Sequence, residues 1–194
     1  MSQTEGQVKE LIRESIGVKS AMLADAVQLE LIQRIAASII EALKRGKKVI
    51  FCGNGGSFAD SIHLAGEFVP RFQKEHVPLA AIALGANTSI LTAIGNDYSY
   101  AEVFSRELAA IGQAGDVLIA ISTSGNSENI HRAVRVAQEI GIHVYGMTGQ
   151  GGGRLAAVTE SLKVPSQKTA RIQESHILVG HIICELVENA MVGA

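Results

Sequence analysis

Apolar residues recur at helical spacing in the first quarter of the chain and then condense into short runs separated by further helical patterns. Val8, Leu11, Ile12 and Ile16 predict a helix over Gln7–Met22. Val27, Leu31, Ile32, Ile35, Ile39 and Leu43 form the stripe of a second helix over Asp25–Arg45, which Gly46 terminates. The apolar runs Val49–Cys52, Leu79–Leu84, Val117–Ile121, His143–Thr148 and Ser161–Val164 predict strands. Helical patterns fill Ser57–Val69, Thr88–Ile94, Ala101–Ile111, Glu128–Ile140 and Thr169–Met191.

Apolar strands alternating with helices of this length predict a parallel sheet covered on both faces. No long linker, repeat or low-complexity segment interrupts the pattern. The expectation is one domain over residues 1–194, with N-terminal helices over 1–46 and an α/β core over 47–194. The leading helical pair precedes the first strand and is read as lying outside the sandwich. Its wide apolar stripe suits an oligomer interface.

Composition narrows the class. A chain of 194 residues, 47% hydrophobic and 19% charged, is globular and long enough to bury a core. A formal net charge of −2 and the lack of basic runs interleaved with aromatics argue against a nucleic-acid partner. No apolar run approaches the ~20 residues that span a bilayer, and "MSQTEGQVKELIRESIG" has no apolar signal core. Cys52 and Cys184 lie in an apolar strand and an apolar helix, as small buried residues would, so a cytoplasmic setting is expected.

Candidate chemistry begins where "DVLIAI" runs into "STSGNS". Ser122, Thr123, Ser124 and Ser127 place four hydroxyls within six positions, at a strand end and before a helix. Hydroxyl donors and the free N–H groups of a helix start form a neutral cradle for a phosphate dianion, and Gly125 permits the tight turn. Ser127 or Asn126 as a helix N-cap explains one polar side chain, not four. "CGNGGS" repeats the layout after the first strand, but neither turn carries the Walker A lysine or the full dinucleotide glycine pattern. A monophosphate fits better than a nucleotide.

Two helices carry polar groups in apolar surroundings. His63 and Glu67 are four residues apart and share a helix face. Such a pair holds a metal or shares proton transfer, or is an ordinary exposed pair. Gln173, Glu174, His176 and His181 punctuate the apolar C-terminal helix. Eight residues separate Gln173 from His181, about 12 Å of helical rise. Either long side chains converge between them or the two serve different sites.

"GNGGS" at 53–57, "HLAGE" at 63–67, "LTAIGNDY" at 91–98, "FSRE" at 104–107, "GDVLIAISTSGNS" at 115–127 and "RIQESH…GH" at 171–181 are jointly specific. With them the chain resembles the phosphoheptose isomerases of the SIS sugar-phosphate-isomerase family over nearly its whole length. The resemblance implies a five-stranded parallel sheet in a three-layer α-β-α sandwich and a homotetramer with interfacial active sites. It also implies conversion of sedoheptulose 7-phosphate to D-glycero-D-manno-heptose 7-phosphate, opening the heptose branch toward lipopolysaccharide core or other surface glycans.

Matched motif by motif, the resemblance gives the phosphate to Ser57, Ser122, Thr123, Ser124 and Ser127. It gives the sugar to Asn54, Gly55, Gly56, Asn96 and Asp97, with Arg71 a weaker match, and one zinc ion per subunit to His63, Glu67, Gln173 and His181. Glu67 and Gln173 are counted with the substrate as well. Enediol chemistry makes Glu67 the base and His181 its acid/base partner. Ala170 stands where some relatives carry Asp, so that contact is missing here. The alternative is a non-enzymatic regulator of the same fold that binds the replication initiator, and a sugar-phosphate sensor is a third reading. In such regulators the metal-side carboxylate and histidine are not retained together, whereas all four groups stand here.

Overall fold

The computed structural model describes residues 3–192. Helices α1 (Gln3–Leu23) and α2 (Ala26–Lys44) lead into strand β1 (Val49–Gly53) and α3 (Gly56–Phe68). Then follow β2 (Ala81–Ala83), α4 (Thr88–Asp97), a 3-10 turn at Tyr100–Glu102 and α5 (Val103–Ile111). β3 (Val117–Ile121), α6 (Glu128–Ile140), β4 (His143–Gly149), α7 (Leu155–Val158), β5 (Glu160–Val164) and α8 (Thr169–Met191) complete the chain.

All five strands are parallel, in the order β2-β1-β3-β4-β5. Alternation along the strands builds two separate cores. Val49, Phe51, Val117, Ile119 and Ile121 face one way, onto α2, α3 and α8, with Leu64, Ile183 and Val187. Ile50, Cys52, Leu118 and Ala120 face the other way, onto α4, α5 and α6, with Phe104, Leu108 and Ile130. Helices on both faces are what a buried parallel sheet requires.

One expectation needs correction. α2 is part of the sandwich and not an appendage: Leu31, Ile32, Ile35, Ala36, Ile39 and Ala42 all bury in the core that the sheet shares with α3 and α8. Asp25 starts this helix, its carboxylate accepting the N–H groups of Val27 and Gln28 at 3.1 and 3.2 Å, and Gly46 ends it at φ +70°. Among the residues of α1 whose burial is described, only Met22 near its C-terminal end is buried. Val8, Leu11, Ile12 and Ile16 remain exposed.

The predicted strand at Leu79–Leu84 shortens to Ala81–Ala83, because this edge strand pairs only with β1 and Pro78 precedes it. α4 runs three residues past its predicted end, to Asp97, and α7 is an addition. Among the described residues no helix is long and apolar enough to cross a membrane.

From β1 the chain moves out to β2 and then returns to the opposite side of β1 to form β3. The sheet therefore reverses direction between β1 and β3, where parallel α/β sheets open a ligand crevice beyond the strand ends. Gly53 and Ile121 stand level in the register, so the turn that follows β1 and the turn that follows β3 emerge side by side.

Candidate active site

The turn after β1 is compact. A Cβ on Gly53 would collide with the Ser57 backbone, and Gly55 takes φ +57° immediately before α3. The Ser57 N–H bonds the Asn54 carbonyl at 3.0 Å, leaving Ser57 buried in the first turn of the helix.

The turn after β3 answers the question of its hydroxyls. Ser127 occupies the cap position of α6, yet its side chain caps nothing. Its Oγ lies 3.1 Å from Ser122 Oγ, so one of the pair donates to the other and one hydroxyl proton remains for a ligand. Ser124 Oγ accepts from the Asn126 N–H at 3.1 Å, still with a proton to give. The turn also leans on the end of β4 and the segment that follows it: the Gly149 N–H bonds Thr123 O and the Leu155 N–H bonds Gly125 O. A Cβ on Gly125, at φ +66°, would collide with the Gly152 carbonyl.

The two turns are tied to each other. Asn54 and Asn129 exchange amide hydrogen bonds, each 2.9 Å. The Tyr100 hydroxyl donates to Asn54 Oδ1 at 3.0 Å, and Asn129 Oδ1 also accepts the Ile130 N–H. Asn129 and Tyr100 were not legible as site residues. Asn129 reads as an ordinary polar residue in a helix first turn, and Tyr100 lies two residues beyond the "LTAIGNDY" motif.

α3 and α8 lie alongside one another in the same direction. Gln173 rests against Gly56, Gly180 against Leu64, and His181 against His63. A Cβ on Gly180 would stand 2.5 and 2.7 Å from the two Leu64 methyls, so the closest approach of the helices needs that glycine. Beside it, His63 Nε2 and His181 Nε2 are 2.9 Å apart, and His63 Nε2 is 3.1 Å from Glu67 Oε1. Ligand atoms of His63, Glu67 and His181 all lie within 4.8 Å of one another, a possible metal-holding group built from two helices.

Asp60, one turn before His63, turns Oδ2 into the protein without a hydrogen-bond partner. Burial pushes its carboxyl up, and the charges of His63 and His181 pull it partly back. Phe72 packs its ring on His181, with centroids 5.7 Å apart. Neither Asp60 nor Phe72 carries a signal in the sequence, since each matters only through a neighbour on another element.

The remaining sequence candidates are more dispersed. Gln173 lies close enough to Gly56 that a Cβ there would collide with its amide, which places the amide over the turn after β1. Asn96 donates to Asp97 at 2.8 Å on the exposed last turn of α4. Arg71 is exposed after α3, with Glu75 3.8 Å away.

Comparison with known proteins identifies the family. Residues 17–149 match the SIS domain. A phosphoheptose isomerase from Aneurinibacillus thermoaerophilus is 52% identical over 185 residues, covering 95% of this chain and 93% of that protein. The solved structure of phosphoheptose isomerase GmhA from Neisseria gonorrhoeae superposes with a TM-score of 0.89 at 42% identity, covering 96% of this chain and 100% of that one. A phosphoheptose isomerase structure from Francisella tularensis gives 0.91 at 34% identity, covering 97% and 100%. The chain belongs to the SIS-domain family and, within it, to the phosphoheptose isomerases.

Proposed function

We propose that this chain interconverts sedoheptulose 7-phosphate and D-glycero-D-manno-heptose 7-phosphate through an enediol, as the first step toward heptose-containing surface glycans such as lipopolysaccharide core. The observation that carries the reading is that the turn after β1 opens α3, the helix that carries His63 and Glu67, while the hydroxyl-rich turn after β3 emerges next to that same turn. Ser57, Ser122, Thr123, Ser124 and Ser127 are assigned to the phosphoryl oxygens. Asn54, Gly55 and Gly56 are assigned to the sugar hydroxyls, and Asn96, Asp97 and Arg71 are more distant candidates for the same task.

In the ketose-to-aldose direction, Glu67 takes the proton from C1 and returns it to C2. His181 gives a proton to the C2 oxygen as the enediol forms and takes one from the C1 oxygen as the aldehyde forms. The net change moves two hydrogens and leaves the formula unaltered.

The residues present fit a zinc ion. Two imidazole nitrogens and a carboxylate oxygen are the donor set zinc prefers. The two Nε2 atoms point at each other, an arrangement a shared cation suits, and the unpartnered Asp60 oxygen adds negative charge nearby. His63, Glu67 and His181 would hold it, with Gln173 the fourth donor the family resemblance implies. The position of the Gln173 amide against Gly56 favours its sugar-facing role. Bound there, zinc would supply Lewis-acid polarisation of the sugar carbonyl. A carboxylate has two oxygens and an imidazole two nitrogens, so Glu67 and His181 would each keep one atom for proton transfer while the other held the ion.

We further propose a cytoplasmic homotetramer. Exposed Val8, Leu11, Ile12 and Ile16 on α1, with Leu178 and Ile182 on α8, form apolar surface of the kind a second subunit covers. Both cysteines are buried free thiols, as suits a reducing compartment. The test incubates the purified chain with sedoheptulose 7-phosphate, with and without added zinc, and follows the aldose product, while light scattering gives the subunit number. Absence of product from a folded tetramer under both conditions overturns the reading.

A further inference from the structure

We propose that Glu188 is a positioning residue for His181, acting through the loop that joins α3 to β2. The proposal rests on the reading that His181 works at the reacting carbons.

Glu188 is 2% exposed, an unusual place for a carboxylate. Its Oε1 accepts three successive backbone N–H groups, from Phe72 at 2.9 Å, Gln73 at 2.9 Å and Lys74 at 3.0 Å. Oε2 also accepts from Gln73 at 3.1 Å. The buried His76 imidazole stands 3.4 Å from Oε1. Burial by itself would raise this carboxyl, but the three N–H groups and His76 outweigh it and hold the group below its ordinary range. None of the isomerisation chemistry uses this carboxylate. Its bonding is directed wholly at one loop.

That loop carries the ring that touches His181. Seven residues separate His181 from Glu188 on α8, about two turns, so both side chains leave nearly the same helix face. The loop lies along that face. Glu188 clamps the backbone of Phe72, and the Phe72 side chain packs on the imidazole with an interplanar angle of 31°. His63 lies 5.1 Å from His181, ring centroid to centroid. The imidazole therefore has an aromatic neighbour from α3 and another from the clamped loop. Releasing the clamp frees Phe72 and lets the His181 ring turn away from the cluster, leaving the phosphate turns untouched.

The test uses the full chain with 13C-labelled histidine, the His181 resonances being assigned by His181→Gln. In the metal-free protein, Phe72→Leu abolishes the ring-current displacement of the His181 ring protons, and Phe72→Tyr preserves it. Glu188→Gln moves the same resonances toward their Phe72→Leu positions. In turnover of sedoheptulose 7-phosphate, Glu188→Gln and Phe72→Leu lower kcat by roughly 10- to 100-fold with KM within about twofold, and Phe72→Tyr restores kcat.

Should Glu188→Gln fail to fold, Glu188→Asp replaces it: the charge stays, the reach shortens by one methylene, and the same resonances must move. His181 resonances unmoved by a folded Glu188 variant overturn the proposal, and so does unchanged kcat beside an active wild type. A wild type that does not isomerise the sugar instead overturns the functional reading, and the resonance measurements still decide the role of Glu188.

Discussion

His63 and His181 meet Nε2 to Nε2 at 2.9 Å because Gly180 lets α8 settle onto Leu64 of α3. Gly180→Ala tests this relationship. Alanine favours a helix over glycine by about 1 kcal/mol, but its methyl would press on a fully buried leucine, and overpacking costs about 1–3 kcal/mol. The net effect is a modest loss, seen as a melting temperature lower by a few degrees. Zinc affinity falls much more, because the helices carrying the two imidazoles are forced apart. Calorimetric titration checks it, and unchanged affinity would detach the glycine from the cluster.

Glu67→Gln keeps the shape of the proposed base and removes its proton affinity. A rate loss of at least ~100-fold is expected from the usual worth of a general base, with binding of the sugar phosphate retained. Turnover close to wild type would mean that another group takes the C1 proton.

Ser124→Ala removes a hydroxyl proton from the turn after β3. A hydrogen bond to a charged group is worth about 1.5–3 kcal/mol when shielded, and less at this exposed position. KM is expected to rise by roughly tenfold with kcat nearly constant. The discriminating control is the dephosphorylated heptulose: its weak binding is unaffected by the substitution.

Zinc itself is expected to stabilise the folded chain. At free zinc 100 times its dissociation constant the gain is about 2.7 kcal/mol, read as a rise in melting temperature that His63→Ala abolishes. Chelation lowers turnover and added zinc restores it. A melting temperature indifferent to zinc in the wild type would remove the ion from the site.

Acid sensitivity follows from His176, which α8 buries against β4 with Nε2 bonded to the Thr148 carbonyl at 3.1 Å and Nδ1 unpartnered. Burial pulls this histidine from 6.5 down to about 4. The unfolded chain therefore binds a proton here between those values while the native chain does not. Stability is full above about pH 6.5 and declines as the pH falls toward 4. His176→Gln, which keeps a donor for Thr148, flattens the denaturation profile in that window. Below it, Glu188 adds a second loss, because its folded carboxyl lies under the ordinary value and must be protonated as acid unfolds the chain.

Much of this was legible in the sequence, for identifiable reasons. β3, α6 and α8 occur over their predicted residues because long apolar runs and strong periodicity leave no competing local choice. His63 and Glu67 were readable as a pair because helical spacing alone makes them neighbours. What stayed hidden depends on contacts between distant segments. Glu188 meets Phe72 over 116 positions and Asn54 meets Asn129 over 75. Nothing local to either residue announces its partner. The Ser122–Ser127 pairing is an intermediate case: the cluster of hydroxyls was plain, but which of them spend a proton on each other depends on the fold of the turn.

The contact between Gly125 and Gly152 carries a last consequence. Because main chain presses on main chain there, the turn after β3 takes its curvature from a segment 27 positions later, and no side chain cushions the two. The glycine run at 151–153 thus works as a mould. A bulky residue at Gly152 would recast that turn and, on the function proposed above, the choice of phosphate ester.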